Sequence, residues 1–189
     1  DDVESRGLGD VYKRQTMNEK NYSKVPVFEN GLAQPVFPLT DGKTGEKLAT
    51  VSEPSAQRSF GADVLSRIQA AEAGKLEILK EQIIFQIAQM LRTLQKKTGR
   101  GEQIQRLAVV GNTVMCHLFA GISPVSIGVT PFMPQEFFGK EYTGEQLGLT
   151  DCRSVYIAPA VAGFVGGDIT SDLLAVMQKK PKDKVLLLD

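Results

Sequence analysis

Val155-Tyr-Ile-Ala-Pro-Ala-Val-Ala-Gly-Phe-Val-Gly-Gly-Asp-Ile-Thr170 decides the fold. It opens as a short apolar strand, passes through a glycine-rich turn and starts a helix. Leu107-Ala-Val-Val-Gly-Asn-Thr-Val-Met-Cys-His117 repeats that order upstream. Strands that are continuously apolar are buried on both faces, as in parallel sheets. Two such units, alternating with helices, point to an α/β architecture.

Outward from these units, the spacing predicts a helix over 168–178 and a strand over 185–188 that ends the chain on Asp189. Upstream, Ile83, Ile84, Ile87, Met90, Leu91 and Leu94 recur at helical intervals and predict a long helix over about Leu76–Lys97. Lys96 and Lys97 suit its negative end, and Gly99 stops it. A shorter helix over Ala62–Ala73, capped by Ser59 and stopped by Gly74, precedes it. Glu46–Val51 reads as a strand after the turn Asp41-Gly-Lys-Thr-Gly45. Pro26, Pro35 and Pro38 make 16–40 irregular, and 121–153, rich in Gly, Pro and Phe, reads as a surface excursion. Residues 1–15 show no period and resemble strings found at the ends of metagenome-derived translations, so they are read as a non-native or disordered arm.

The 189 residues suffice for one sizeable domain, with 42% hydrophobic and 23% charged residues. Acids and bases balance at 22 each without a basic patch, which argues against a nucleic-acid partner. No apolar run approaches the roughly 20 residues needed to span a bilayer. Two cysteines, Cys116 and Cys152, give no disulfide framework and fit a reducing cytoplasm. They are also too few for a four-thiolate iron–sulfur cluster.

Several residues could carry chemistry. Gly111 lets the backbone turn, Asn112 or Thr113 can cap the next helix, and free amides at such a start favour an anion. Plain capping explains the same residues, and both readings stay open. Gly166-Gly167-Asp168 follows the same logic with Asp168 as N-cap, where an acid suits a magnesium-linked water or a structural cap better than a phosphate. His117, the sole histidine, reads as a packed or surface residue rather than a base. Asp63 and Arg67, four apart on one helix face, read as an ion pair or as the lining of a cleft.

Four ordered blocks then carry a resemblance. Ser55-Ala-Gln-Arg-Ser-Phe-Gly-Ala-Asp-Val-Leu-Ser-Arg-Ile68, Val110-Gly-Asn-Thr-Val-Met-Cys-His-Leu-Phe-Ala-Gly-Ile122, Ile127-Gly-Val-Thr-Pro-Phe-Met-Pro134 and Ala160-Val-Ala-Gly-Phe-Val-Gly-Gly-Asp-Ile169 resemble, in order, segments of the reductive activators of corrinoid proteins. The resemblance implies a ribonuclease-H-like half-domain of the actin/Hsp70 and sugar-kinase type, with a mixed sheet, flanking helices and an incomplete three-layer α/β build. It implies a first lobe over 44–184, with 185–189 opening a second. It also implies ATP and Mg2+ in the full-length protein, a [2Fe–2S] domain ahead of this segment, electron transfer that returns cobalt from Co(II) to Co(I), and a corrinoid protein as partner. In that frame Gly111, Asn112, Thr113, Gly166, Gly167 and Asp168 line the nucleotide cleft. Asp189, as catalytic and metal residue, opens the second phosphate loop.

The chain departs from the pattern in two places. Val27-Phe-Glu-Asn-Gly-Leu-Ala33 keeps only Glu29 and Gly31 of the first phosphate loop, and Asn-Pro-Gln is replaced by Ser55-Ala56-Gln57. The expectation is a fragment that neither binds ATP tightly nor hydrolyses it, with faces left for the second lobe that favour weak self-association. The alternatives are one lobe of another ATPase or small-metabolite kinase of this superfamily, and a non-catalytic docking module built on Pro131–Phe138.

Overall fold

The computed structural model describes residues 27–29 by backbone alone, and residues 35–61, 63–99 and 103–178. The arm over 1–15, the expected last strand and Asp189 lie outside the described residues.

Among the described residues a six-stranded mixed sheet runs in the order β3-β2-β1-β4-β6-β5. Its strands are β1 (Val27–Glu29), β2 (Val36–Thr40), β3 (Lys47–Ser52), β4 (Ile104–Val110), β5 (Lys140–Thr143) and β6 (Cys152–Ile157). β1, β2 and β3 form an antiparallel meander, β1 pairs parallel to β4, and β4 pairs parallel to β6. An antiparallel meander feeding parallel strands is the mixed sheet expected of a ribonuclease-H-like half-domain. No described helix is long and apolar enough to cross a membrane.

Two expectations are corrected here. Residues 16–40 are not irregular throughout, because β1 and β2 both form within them. Pro38 sits inside β2 opposite Thr50. Among the described residues the β1–β2 ladder pairs Glu29 with Val36, and Pro38, without an N–H, donates no bond to it. The supposed excursion over 121–153 likewise contains β5, antiparallel to β6, and buries Leu147 and Leu149 in the main core.

The helices are α1 (Val64–Ala70), α2 (Leu76–Thr98), α3 (Thr113–Ala120), α4 (Gly144–Leu147) and α5 (Gly167–Gln178). The predicted stripe of α2 is buried as expected: Ile83, Ile87, Met90, Leu91 and Leu94 are fully covered. They pack with Phe37, Leu39, Leu107, Val109, Val155 and Ile157 from the sheet. A second cluster joins α1, the start of α2 and one side of α3 through Ile68, Leu79, Val114, Met115 and Leu118. Because side chains alternate along a strand, Ala108 and Val110 face the other side. There they form a small cluster with Tyr156 and Ala158.

The helix before α2 starts later than predicted. Ser59 falls in a 3-10 turn over Ala56–Phe60, and Asp63 is the cap, accepting the Ser66 N–H at 2.7 Å. Ala73 and Gly74 leave the helical conformation, Gly74 at φ 81°, so the path breaks at the predicted stop and α2 starts anew at Leu76. A side chain at Gly74 would be strained by the left-handed backbone.

Gln57, from the altered Ser55-Ala56-Gln57 block, is fully buried and donates to the Leu79 carbonyl at 2.7 Å. Gln86 of α2 accepts the Ala56 N–H at 2.9 Å and donates to the Pro54 carbonyl at 2.7 Å. These two amides staple the turn after β3 onto α2. Gln86→Leu is expected to lower stability by about 1–3 kcal/mol, since it strands two backbone polar groups at once. Urea unfolding measures this; an unchanged midpoint would mean the staple contributes nothing.

Candidate functional site

The two strand–turn–helix units lie against each other. β4 ends at Val110, and Asn112 caps α3 by accepting the Met115 N–H at 2.9 Å. The Asn112 carbonyl takes the Cys116 N–H at 3.1 Å. Thr113 is fully buried, and its hydroxyl donates 2.8 Å to the carbonyl of Ala162, in the segment leaving β6.

That crossing segment is fastened at several points. Val161 and Ala162 both donate to the Val165 carbonyl, closing a tight hairpin with Phe164 at its tip. The Thr170 hydroxyl reaches back to the Pro159 carbonyl at 2.7 Å. The Asp168 N–H donates to the Gly111 carbonyl at 3.3 Å, joining the two turns directly. Gly166 makes the approach possible. A Cβ there would lie 2.6 Å from both Asn112 Cα and Thr113 N, and 2.7 Å from the Gly111 carbonyl oxygen.

The six residues picked out from sequence, Gly111 to Thr113 and Gly166 to Asp168, are thus brought together into one interlocked pair of turns. α5 begins at Gly167, so Asp168 sits in its first turn, where its carboxylate accepts the Ile169 N–H at 2.9 Å. It suits the positive end of the helix. Asp189 lies outside the described residues. At the start of α3 the Met115 amide is capped by Asn112 and the Thr113 hydroxyl is taken by the Ala162 carbonyl, so neither is open to an anion. Asp168 and Asn112 are both half-buried at these turns.

Neither cysteine suits a metal centre. Cys116 is buried in α3, and burial first, then the Asp168 charge, pushes its thiol far up. Cys152 opens β6, and burial and Asp151 push its thiol up to about 12. Among the described residues no three His, Cys, Asp or Glu side chains come together as a metal site. Two protonated thiols on separate elements do not fit an iron–sulfur cluster.

Two further features lie beside the turns, one hidden from sequence and one, a packed His117, among the readings the sequence offered. Asp63 is used as a cap, while Arg67 is wholly buried and donates from Nη1 to Met115 Sδ at 2.8 Å. Burial pulls the guanidinium's pKa down, and Asp63 counters this. Spacing of i and i+4 left an ion pair and a cleft lining both open; the apolar neighbours Ile68 and Ala70 were the available sign that this face turns inward.

The second is His117. It is fully buried, with Nδ1 2.8 Å from the Thr113 carbonyl, Nε2 accepting the Glu136 N–H at 3.3 Å and its ring edge-on to Phe138. Burial lowers its pKa from the ordinary 6.5, against smaller raising effects of the Thr113 bond and Glu136. The unfolded chain therefore binds the proton first as pH falls. Stability from this residue is complete above about 6.5, declines as pH drops from there through the lowered folded value, and is lost below it. A urea midpoint that falls between pH 7 and 5 in the native chain and flattens in His117→Gln is the expected result. Equal slopes in both would contradict it.

Comparison with known proteins follows the same segment. The family described as RACo middle region matches residues 30–180. The corrinoid activation enzyme RamQ of Eubacterium limosum is 30% identical over 166 residues, covering 85% of this chain and 27% of RamQ. Among solved structures, a reductive activator for corrinoid, iron-sulfur protein superposes with a TM-score of 0.79 at 28% identity, covering 88% of this chain and 27% of that one. The chain spans about a quarter of the length of the relatives it matches.

Proposed function

This chain belongs to the RACo middle-region family, and on that premise we propose that it forms one lobe of an ATP-driven activator that returns corrinoid cobalt from Co(II) to Co(I). The interlocked turns carry the reading. They put Gly111, Asn112, Thr113, Gly166, Gly167 and Asp168 on one wall, at the ends of adjacent parallel strands. In open α/β sheets, ligands bind outside the carboxyl ends of strands. Asn112 and Asp168 stand at the rim, where a polar amide and a carboxylate can hold a hydrated Mg2+ and orient phosphate oxygens. Asp189 adds a second carboxylate from the start of the next lobe.

In this reading the segment supplies the wall and not the phosphate cradle. The Met115 amide and the Thr113 hydroxyl at the start of α3 are already used, so ATP affinity depends on loops of the other lobe. The single electron that converts Co(II) to Co(I) comes from a centre outside this segment, because these two cysteines cannot hold one. The partner is a corrinoid protein, and the compartment a reducing cytoplasm.

Two experiments test this. Calorimetric titration of the 189-residue chain with Mg-ATP should give no saturable heat, and micromolar affinity would show that the wall is itself a cradle. A polypeptide of the relatives' full length containing this segment should form the Co(I) absorbance of a corrinoid protein, given an electron donor, only when Mg-ATP is present. ATP-independent reduction, or none, would overturn the assignment.

A further inference from the structure

His117 hydrogen-bonds two parts of the molecule at once. Its Nδ1 meets the carbonyl of Thr113, in the first turn of α3 beside the candidate cleft. A carbonyl can only accept, so Nδ1 carries the proton. Its Nε2 meets the Glu136 N–H, which can only donate, so Nε2 is bare. One neutral tautomer satisfies both ends, and no other form of the ring does.

On the far side lies the loop from Pro131 to Phe138. Pro134 and Phe138 are buried, whereas Phe132, Met133 and Phe137 are exposed at 44%, 53% and 40%. The Glu136 carboxylate organises this loop by accepting the Phe137 and Phe138 N–H groups at 3.0 Å each, and it pairs with Lys140. The Phe137 carbonyl accepts the Ala160 N–H at 2.8 Å, so the loop also touches the crossing segment that Thr113 holds through Ala162. Thr113, His117 and Glu136 form a continuous hydrogen-bonded line from the turn to the exposed apolar loop.

We propose that His117 is the positioning residue that fixes the Pro131–Phe138 loop relative to the Gly111–Thr113 turn, and that it does so only as the neutral Nδ1–H tautomer. Protonation puts an N–H at Nε2 directly against the Glu136 N–H. Two donors face each other, and the loop loses its bond to α3. The charged groups around α3 are Glu136 with its partner Lys140 on the loop side, Arg67 against Met115, Asp168 near Cys116 and Lys80 beside Gly121. Of these, Glu136 is the one whose charge acts on the ring. The consequence for a nucleotide cleft rests on the function proposed above; the link itself does not.

The test uses the 189-residue chain and no nucleotide, so its outcome is separate from that of the ATP experiments. The imidazole 15N spectrum at neutral pH should show one protonated and one bare ring nitrogen, with the proton on Nδ1. Hydrogen exchange of the Glu136, Phe137 and Phe138 amides should accelerate in step with ring protonation, while the capped Gly148 amide does not follow. His117→Phe keeps the ring and removes both nitrogens, and should speed exchange of Glu136 by about fivefold to tenfold, the loss of one ordinary hydrogen bond. His117→Gln keeps an acceptor near Nε2 and should restore most of the protection. A proton on Nε2, or loop amides indifferent to both ring protonation and His117→Phe, overturns the proposal. If His117→Phe does not fold, the tautomer and the native chain's pH profile still decide.

Discussion

Gly166→Ala is expected to destabilise the chain by about 3 kcal/mol, at the upper end of the range for overpacking. The added methyl would meet the Asn112 Cα, the Thr113 amide nitrogen and the Gly111 carbonyl oxygen, all within 2.7 Å. Each is backbone, so no side chain can swing aside. The turns must separate, and the Asp168 N–H bond to Gly111 goes with them. The expected result is a lower urea midpoint together with faster exchange of the Asp168 amide. An unchanged midpoint would mean that the two turns are not in contact, and the candidate site would no longer be a single wall.

Phe119→Ala is expected to cost about 3–5 kcal/mol, the range for emptying a buried aromatic site. Phe119 is fully buried in the main core, on the same helix whose first turn carries Asn112 and Thr113. α3 buries every residue from Thr113 to Phe119, so it is anchored on two clusters at once. Its position depends on volume, and the cavity left by the ring cannot be filled from one side only. Phe85, 62% exposed on α2, is the comparison: its alanine variant should stay within about 0.5 kcal/mol of the native chain. Equal effects at Phe119 and Phe85 would contradict the described core.

Much of the fold was legible because the relevant signals are local. The α2 stripe, the Gly99 stop and the Asn112 cap follow from spacing and capping chemistry, which need no knowledge of distant partners. β2 was hidden because Pro38 argues against a strand, and its pairing with β3 is a fact of register that the local sequence does not carry. Ser59 seemed a cap because its residue type fits one. The helix starts after Gly61, where Asp63 supplies the cap instead. The two glycine-rich turns were identifiable by their chemistry, but their mutual contact was not. The pairing of Asp168 with Gly111 links the segments that leave β4 and β6, and only the assembled sheet creates it. The Arg67–Met115 contact and the His117–Glu136 bond were missed for the same reason, since each partner comes from another element.

The central claim is that these interlocked turns form one wall of a nucleotide cleft in a corrinoid-protein activator. Hydrogen exchange of a polypeptide of the relatives' full length, with and without Mg-ATP, tests it most directly. The account predicts that ATP slows amide exchange over residues 111–115 and 166–170 together. Saturating ATP that protects other segments and leaves both turns unchanged would contradict it.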